Sequence, residues 1–286
     1  MTELITLIAN IAVITFVVAS MLAMGLSLTV KQVTDPLRNL RLVALALVAN
    51  FVLVPLVAVA LRAAIPLREG HAIGLILLAT AAGAPFLPKL TQAAKGNIAL
   101  SVGLMVLLMV ATVIYVPIVL PLLLPGVAVN PLDIAKSLIV LMLIPLAIGL
   151  LLRARYPDTA AHLQPMFSQI ANTAFLVLFV TMILLNWRTI LSALGSGAIL
   201  AALVFIAASF AIGYFLAGKD ADTRAVLGLG TAQRNVSAAL VVAGQNFTDP
   251  DVLVMVLTGA LLMLVILMPL AGELGRRKAA VPSAAV

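Results

Sequence analysis

The sequence predicts an all-α integral membrane protein with about nine transmembrane helices, and three observations lead there. Of its 286 residues, 64% are hydrophobic and 9% charged, where a soluble domain carries about 25% charge. Apolar runs of roughly 20 residues, the length that crosses a bilayer, recur along the whole chain. The connections between them are short, so no segment outside the membrane is long enough to be a domain. Each run is expected to be a helix, because a helix satisfies its own backbone groups in lipid and an open strand does not. The expected spans are 4–28, 41–62, 72–94, 98–124, 132–153, 164–186, 191–217, 222–246 and 251–274.

Each element has its own reason. The first run, opening "MTELITLIAN", lacks the basic region of a cleaved signal and is read as permanent. The second carries Asn50 before Pro55. The third, "HAIGLILLATAAGAPFLPKLTQAAKGN", holds Gly83, Pro85 and Pro88 within six residues. Proline removes a backbone donor and clashes with the preceding turn, so this helix is expected to break. The fourth to seventh runs carry no charged residue at mid-depth. In the eighth, "DADTRAVLGLGTAQRNVSAALVVAGQN", Gly228 and Gly230 weaken the helix and Thr231, Gln233, Arg234 and Asn235 follow. The ninth is a long apolar helix. Cysteine is absent, which removes disulfides and thiolate metal sites.

Nine spans put the termini on opposite sides, and the cations then sort. Lys31, Arg38, Arg41, Lys95, Arg153, Arg155, Lys219, Arg224, Arg276, Arg277 and Lys278 share one side; Arg62, Arg68, Lys136 and Arg188 share the other. The excess marks the first side as cytoplasmic, with the N-terminus outside and the C-terminus inside a cell membrane. The net charge of +7 therefore reads orientation and not nucleic acid. The partners expected are the lipid bilayer and a substrate, with the oligomeric state open.

The two broken spans match in position. Each is followed by a polar turn and a long apolar helix. Spans one to four, residues 1–124, read as one repeat, and spans six to nine, residues 164–274, as a second. Span 132–153 is unpaired. An offset of five spans inverts the second copy. Paired, interrupted segments in two inverted halves point to the binding site of a secondary transporter.

The charge inventory sharpens that expectation. All ten carboxylates fall in loops or at span ends, so Lys89 and Arg234 have no acidic neighbour at their depth. A cation at a helix centre costs about 2.5–3.5 kcal/mol to insert, and one Leu or Val returns about 0.3–0.6 kcal/mol. The cost implies a function, and the simplest partner is an anion from outside. Candidate substrate or ion residues are Lys89, Arg234, Asn235, Gln233, Thr231, Asn50, Thr91, Gln92 and Ser101, with helix breaks at Gly83, Pro85, Pro88, Gly228 and Gly230. Asn172 reads as interhelical glue, and His71 and His162 as loop residues. No span holds a Cys, a His or a central carboxylate, so an intramembrane enzyme is not expected.

Four stretches in order, "MLAMGLSLTVKQV", "LVANFVLVP", "AAKGNIALSV" and "RNVSAALVVA", resemble the bile acid:sodium symporter family over residues 20–270. The resemblance implies two inverted repeats arranged as a panel and a core domain, broken helices crossing in the core, and an organic anion bound between the domains. It also implies that this chain begins after the family's first helix. The family's Glu-x-x-x-Gln sodium pattern falls on Gly230 and Arg234. Its Ser-Asn pair falls on or near Leu87 and Pro88, beside Lys89. One hydroxyl is kept as Ser101, a threonine position is Met105, and a glutamine position is the shorter Asn50. With the carboxylate gone, the expectation is that Lys89 and Arg234 stand in for bound sodium. No cofactor is expected and sodium is disfavoured. The carrier would move a small carboxylate, sulfonate or bile-acid-like anion by alternating access, as a facilitator, an exchanger or a proton-coupled symporter. The alternative is a conventional sodium-coupled organic anion symporter.

Overall fold

A computed structural model describes residues 2–34, 38–124, 130–193, 195 and 197–280. Every regular element among them is helical: α1 (Thr2–Ser27), α2 (Val30–Thr34), α3 (Leu40–Val48), α4 (Val54–Ala64), α5 (Glu69–Thr80), α6 (Leu87–Ala93), α7 (Ile98–Leu123), α8 (Pro131–Leu138), α9 (Ile144–Arg155), α10 (Pro157–Ala193), α11 (Ala198–Leu216), α12 (Ala221–Ala232), α13 (Val236–Asn246) and α14 (Pro250–Ala280). A single wide π-helical turn joins α3 to α4 (Ala49–Leu53) and another joins α8 to α9 (Ile139–Leu143). Both turns sit just before a proline, Pro55 and Pro145. A proline cannot donate to the carbonyl four residues back, so the ladder shifts register there.

Seven segments among the described residues are long and apolar enough to cross a membrane: α1, α3–α4, α7, α8–α9, α11, α12–α13 and α14. Nine were expected. Span 72–94 is two short helices, α5 and α6, joined by residues 81–86. Span 164–186 lies inside α10, 37 residues long, which starts at Pro157 and passes through Pro165. A proline near a helix start fits because its missing N–H would have had no partner there. Span 191–217 shortens to Ala198–Leu216 because Gly197, at φ +75°, turns the chain left-handed immediately before it.

Packing divides the helices into two groups. α1 lies against α9 and α10, and α9 against α10. α5, α6 and α7, α11, α12 and α13 pack around α14 and one another, with α4 against α5 and α11. The first group holds together by close backbone approach. A Cβ at Gly25 on α1 would overlap the Leu146 carbonyl, and one at Gly149 on α9 would lie 2.7 Å from the Leu22 carbonyl. The second group is the more thoroughly buried: nearly every residue of α5 and of the α12–α13 stretch is shut away from the surface. By contrast α1, α4, α7 and α9 expose Leu, Ile and Val on one side, the face such helices turn to acyl chains.

Three expectations are corrected at this level. α12 runs unbroken through Gly228 and Gly230, and the break falls at 233–235. The two glycines serve contact instead: a Cβ at Gly228 would meet the Phe210 ring at 3.1 Å, and one at Gly230 would meet Leu87 at 2.9 Å. Pro88 opens α6 and does not end a helix. His71 is buried in the first turn of α5, with Nε2 3.7 Å from the Asp251 carboxylate at the start of α14.

Candidate functional site

Two helices end in the middle of the molecule, and each end leaves carbonyls without helical donors. In α5 the acceptors are Leu78 and Ala79. Their usual donors, the amides of Ala82 and Gly83, have left the helix. Ala82 N–H donates instead to the Thr112 hydroxyl of α7 at 2.9 Å, and that hydroxyl donates back to the Ala82 carbonyl at 3.1 Å. Gly83 stands at φ +79°, and a Cβ there would overlap the backbone of Met109. Glycine is required because the turn is left-handed and pressed against α7. In α12 the bereft acceptor is Thr231. Its usual donor, Asn235 N–H, is diverted across to the Ala81 carbonyl at 2.9 Å.

Arg234 fills all three gaps. Its Nε donates to the Leu78 carbonyl at 2.9 Å, one terminal nitrogen to the Ala79 carbonyl at 2.6 Å, and the other to the Thr231 carbonyl at 3.1 Å. That last nitrogen also donates to Asn50 Oδ1 at 2.6 Å. A guanidinium offers five N–H donors in a planar fork, and four bonds are made here. The Arg234 backbone N–H points at the Met263 sulfur of α14 at 3.3 Å. Arg234 is 0% exposed. Its partners are neutral oxygens, and the converging helix C-termini add the negative ends of two dipoles.

Asn50 reaches this point because the π-helical turn widens the backbone before Pro55. The turn leaves the Phe51 carbonyl, four residues before Pro55, to accept from the Tyr115 hydroxyl at 2.6 Å. Asn50 Nδ2 donates to the Ala46 carbonyl at 2.9 Å and faces the Thr231 hydroxyl at 3.4 Å. Asn235 completes the crossing. Its Oδ1 accepts from Ala238 N–H and starts α13, and its Nδ2 donates to the Gly83 carbonyl at 3.0 Å.

Beside the crossing lies a cavity of about 700 Å³ between the two helix groups. One wall is α1 and α10. The other is the two breaks with α6, the start of α7, and α14. It extends from Phe16 and Phe175 to Ser27, Gln92 and Gln164, toward the helix ends that carry Lys31, Lys95 and Arg155. Lys89, in the first turn of α6, is exposed into it, with Nζ 5.9 Å from the centre of the Phe86 ring. Arg234 borders it with its side chain sealed off. No carboxylate lines it among the described residues.

The predicted residues therefore separate into two sets. Arg234, Asn50, Thr231 and Asn235 meet at the crossing. Lys89, Gln92 and Gln233 face the cavity. The two cations expected to act together stand in different places: α6 puts Lys89 on the cavity wall. The Arg234 fork, expected to meet an anion, is instead directed at three backbone carbonyls and the Asn50 amide oxygen. Thr91 is buried away from the cavity, and the Ser101 hydroxyl donates to the Ile98 carbonyl at 2.7 Å. Gly83 and Pro85 lie in the first break.

Sequence reasoning missed Ser20 and Ser27 on α1, and Gln164, Ser168 and Asn172 on α10, all of which line the cavity. The signal was present: 164, 168 and 172 recur every fourth residue, one face of a helix. Asn172, expected as interhelical glue, lines the cavity.

Several curated proteins are similar to this chain. The "Probable sodium/metabolite cotransporter BASS3, chloroplastic" of Arabidopsis thaliana is 26% identical over 231 residues, 79% of this chain and 54% of that protein. The "Probable sodium/metabolite cotransporter BASS2, chloroplastic" of Oryza sativa subsp. japonica is 24% identical over 242 residues, 82% and 57% of the two chains. The corresponding BASS1 of the same rice is 26% identical over 236 residues, 81% and 58%. The chain thus spans rather more than half the length of these relatives. Residues 14–193 match the Sodium Bile acid symporter family, and with the crossed broken helices beside a cavity between two helix groups, the chain belongs to that family.

Proposed function

We propose that this protein is a secondary transporter that carries a small organic anion across a cell membrane by alternating access, and that Arg234 takes the place of a bound sodium ion. One observation carries the reading: the guanidinium is held by the Leu78, Ala79 and Thr231 carbonyls and the Asn50 amide oxygen. Hard oxygen acceptors at the negative ends of two half-helices form a site for a cation. Here a covalently attached cation fills it. A sodium ion 4 Å from that charge would meet a repulsion of about 4 kcal/mol at an effective dielectric near 20. The crossing then stays assembled without sodium, and Lys89 supplies the charge that attracts the anion into the cavity.

The two stretches α5–break–α6–α7 and α12–break–α13–α14 support a first repeat within 1–124 and an inverted second within 164–274, with α8–α9 between them. The group α1, α9 and α10 corresponds to a panel and the rest to a core. The bias of Lys and Arg favours the N-terminus outside, so the cavity opens toward the cytoplasm in this conformation.

The relatives' names favour a second reading, a sodium/metabolite cotransporter. Counterflow into proteoliposomes separates the two, with lactate, pyruvate, hydroxydecanoate and taurocholate as probes and sodium replaced by N-methylglucamine. Equal flux in both media is expected. Flux that requires sodium establishes the second reading, and no flux of any anion removes the transporter reading.

A further inference from the structure

Resting on the transport reading, one part of the fold says where the chain bends when the two helix groups move. We infer that the π-helical turn Ile139–Leu143 is a hinge, on which α9 and its group swing while α8 stays with the other group.

Among the described residues the chain passes between the groups three times. Between α1 and α2, which lies against α7, stand the non-helical Leu28 and Thr29. Between α10 and α11 stands Gly197 at φ +75°. Loop positions of this kind absorb a change of backbone angle. The third passage lies inside one membrane-spanning segment, Pro131–Arg155. A regular α-helix bends sharply only where its ladder is interrupted. Two halves fastened to groups that move against each other therefore need an interruption between them.

The halves are fastened differently. α8 lies against α7 and α13, with Ile134 and Leu138 fully buried. The Ser137 hydroxyl donates to Gln245 Oε1 at the end of α13 at 2.8 Å. α9 lies against α1 and α10, and Gly149 lets it press on α1 at Gly25. The π-helical turn, against α1, is where the segment changes sides. Its ladder closes over five residues, from Ile144 N–H to the Ile139 carbonyl. Pro145 offers no N–H to the Leu141 carbonyl four residues back. A widened turn with a missing donor is the part of a helix that bends most readily. The other π-helical turn, Ala49–Leu53, is a contrast. There α3 lies against α7, and α4 against α5 and α11, so both flanks belong to one group.

The chain has no cysteine, so two bridges can be compared. Ile139 and Ile144 are exposed, and Ile139→Cys with Ile144→Cys is joined across the turn by a short bis-methanethiosulfonate. Ser137→Cys with Gln245→Cys, joined by the same reagent, ties α8 to α13. Counterflow of lactate, pyruvate, hydroxydecanoate and taurocholate into proteoliposomes is read before bridging, after bridging and after reduction. The bridge across the turn is expected to slow counterflow at least about tenfold, with reduction restoring it. The bridge from α8 to α13 should leave counterflow within about twofold of the unbridged protein, because these helices travel together. In a second measurement, spin labels on Lys136→Cys and Ile148→Cys, either side of the turn, should give two distances in lipid. Full flux through a bridged turn overturns the inference, as does a single sharp label distance. Flux stopped by the Ser137–Gln245 bridge also overturns it and makes that contact a gate between the groups. In each of these cases the unmodified protein still transports and the transporter reading stands. Counterflow of none of the four probes by the unmodified chain removes that reading, and the hinge with it.

Discussion

At the scale of single residues, Arg234 and Lys89 carry the same charge and do opposite work. Arg234 bonds carbonyls that a broken helix would otherwise bury without donors. A buried acceptor left unmatched costs about 1–3 kcal/mol. Arg234→Ala strands four and is expected to lower the melting temperature by several degrees. It also leaves a hole shaped for its own head group. Millimolar guanidinium should raise the melting temperature of Arg234→Ala and leave the wild type unmoved; absence of rescue would show that the fork is not what stabilises the crossing. Asn50→Leu removes the acceptor of one Arg234 N–H and the donor to the Ala46 carbonyl, and should cost about 1–3 kcal/mol, measured the same way. Gly83 is different, because its constraint is steric. Gly83→Ala combines a left-handed φ with overlap on the Met109 backbone, a strain of the order of 1–3 kcal/mol before any repacking. The yield of monodisperse protein from detergent should fall sharply.

At the scale of elements, the breaks are held open by partners from other helices. Thr112 of α7 satisfies both the N–H and the carbonyl of Ala82. Thr112→Val keeps the shape and removes both bonds. Hydrogen exchange at residues 80–86 should quicken while α10 and α11 are unaffected; unchanged protection of this segment would assign the hold to other contacts. The α1–α9 pair rests on backbone proximity at Gly25 and Gly149. Gly149→Leu should force these helices apart and destabilise the α1, α9 and α10 group, without altering the Arg234 bonds. The π-helical turns show one cause acting twice: a proline deletes a donor and the preceding turn widens. Only at the first does the widening point a side chain, Asn50, at the site.

At the scale of the whole molecule, the cavity is walled by two separately packed helix groups, a layout suited to one group moving against the other. The chain has no cysteine, so single cysteines report access directly. Cysteine at Gln92 or Gln164 should react with a membrane-impermeant maleimide added on the side that carries Lys31, Lys95 and Arg155. Cysteine at Asn50, fully buried behind Arg234, should not. Reaction of Gln92→Cys from the opposite side alone would reverse the assigned opening.

The bilayer setting was fixed by composition, since apolar runs at spanning length have no other stable environment. The first break was written in Gly83 and Pro85, whose backbone chemistry acts locally. Arg234 was marked by its cost, because charge at membrane depth is conspicuous in any apolar run. Its partners were not marked. They are carbonyls of Leu78 and Ala79 and an amide on Asn50, 184 positions away. A backbone carbonyl is the same in every residue, so no residue type announces that it will be an acceptor. Gly228 and Gly230 misled for the related reason that glycine serves both bending and close packing, and only neighbouring Phe210 and Leu87 decide which. Tertiary structure alone separated the two cations, burying one among oxygens and turning the other into the cavity, because burial depends on which helices meet at that depth.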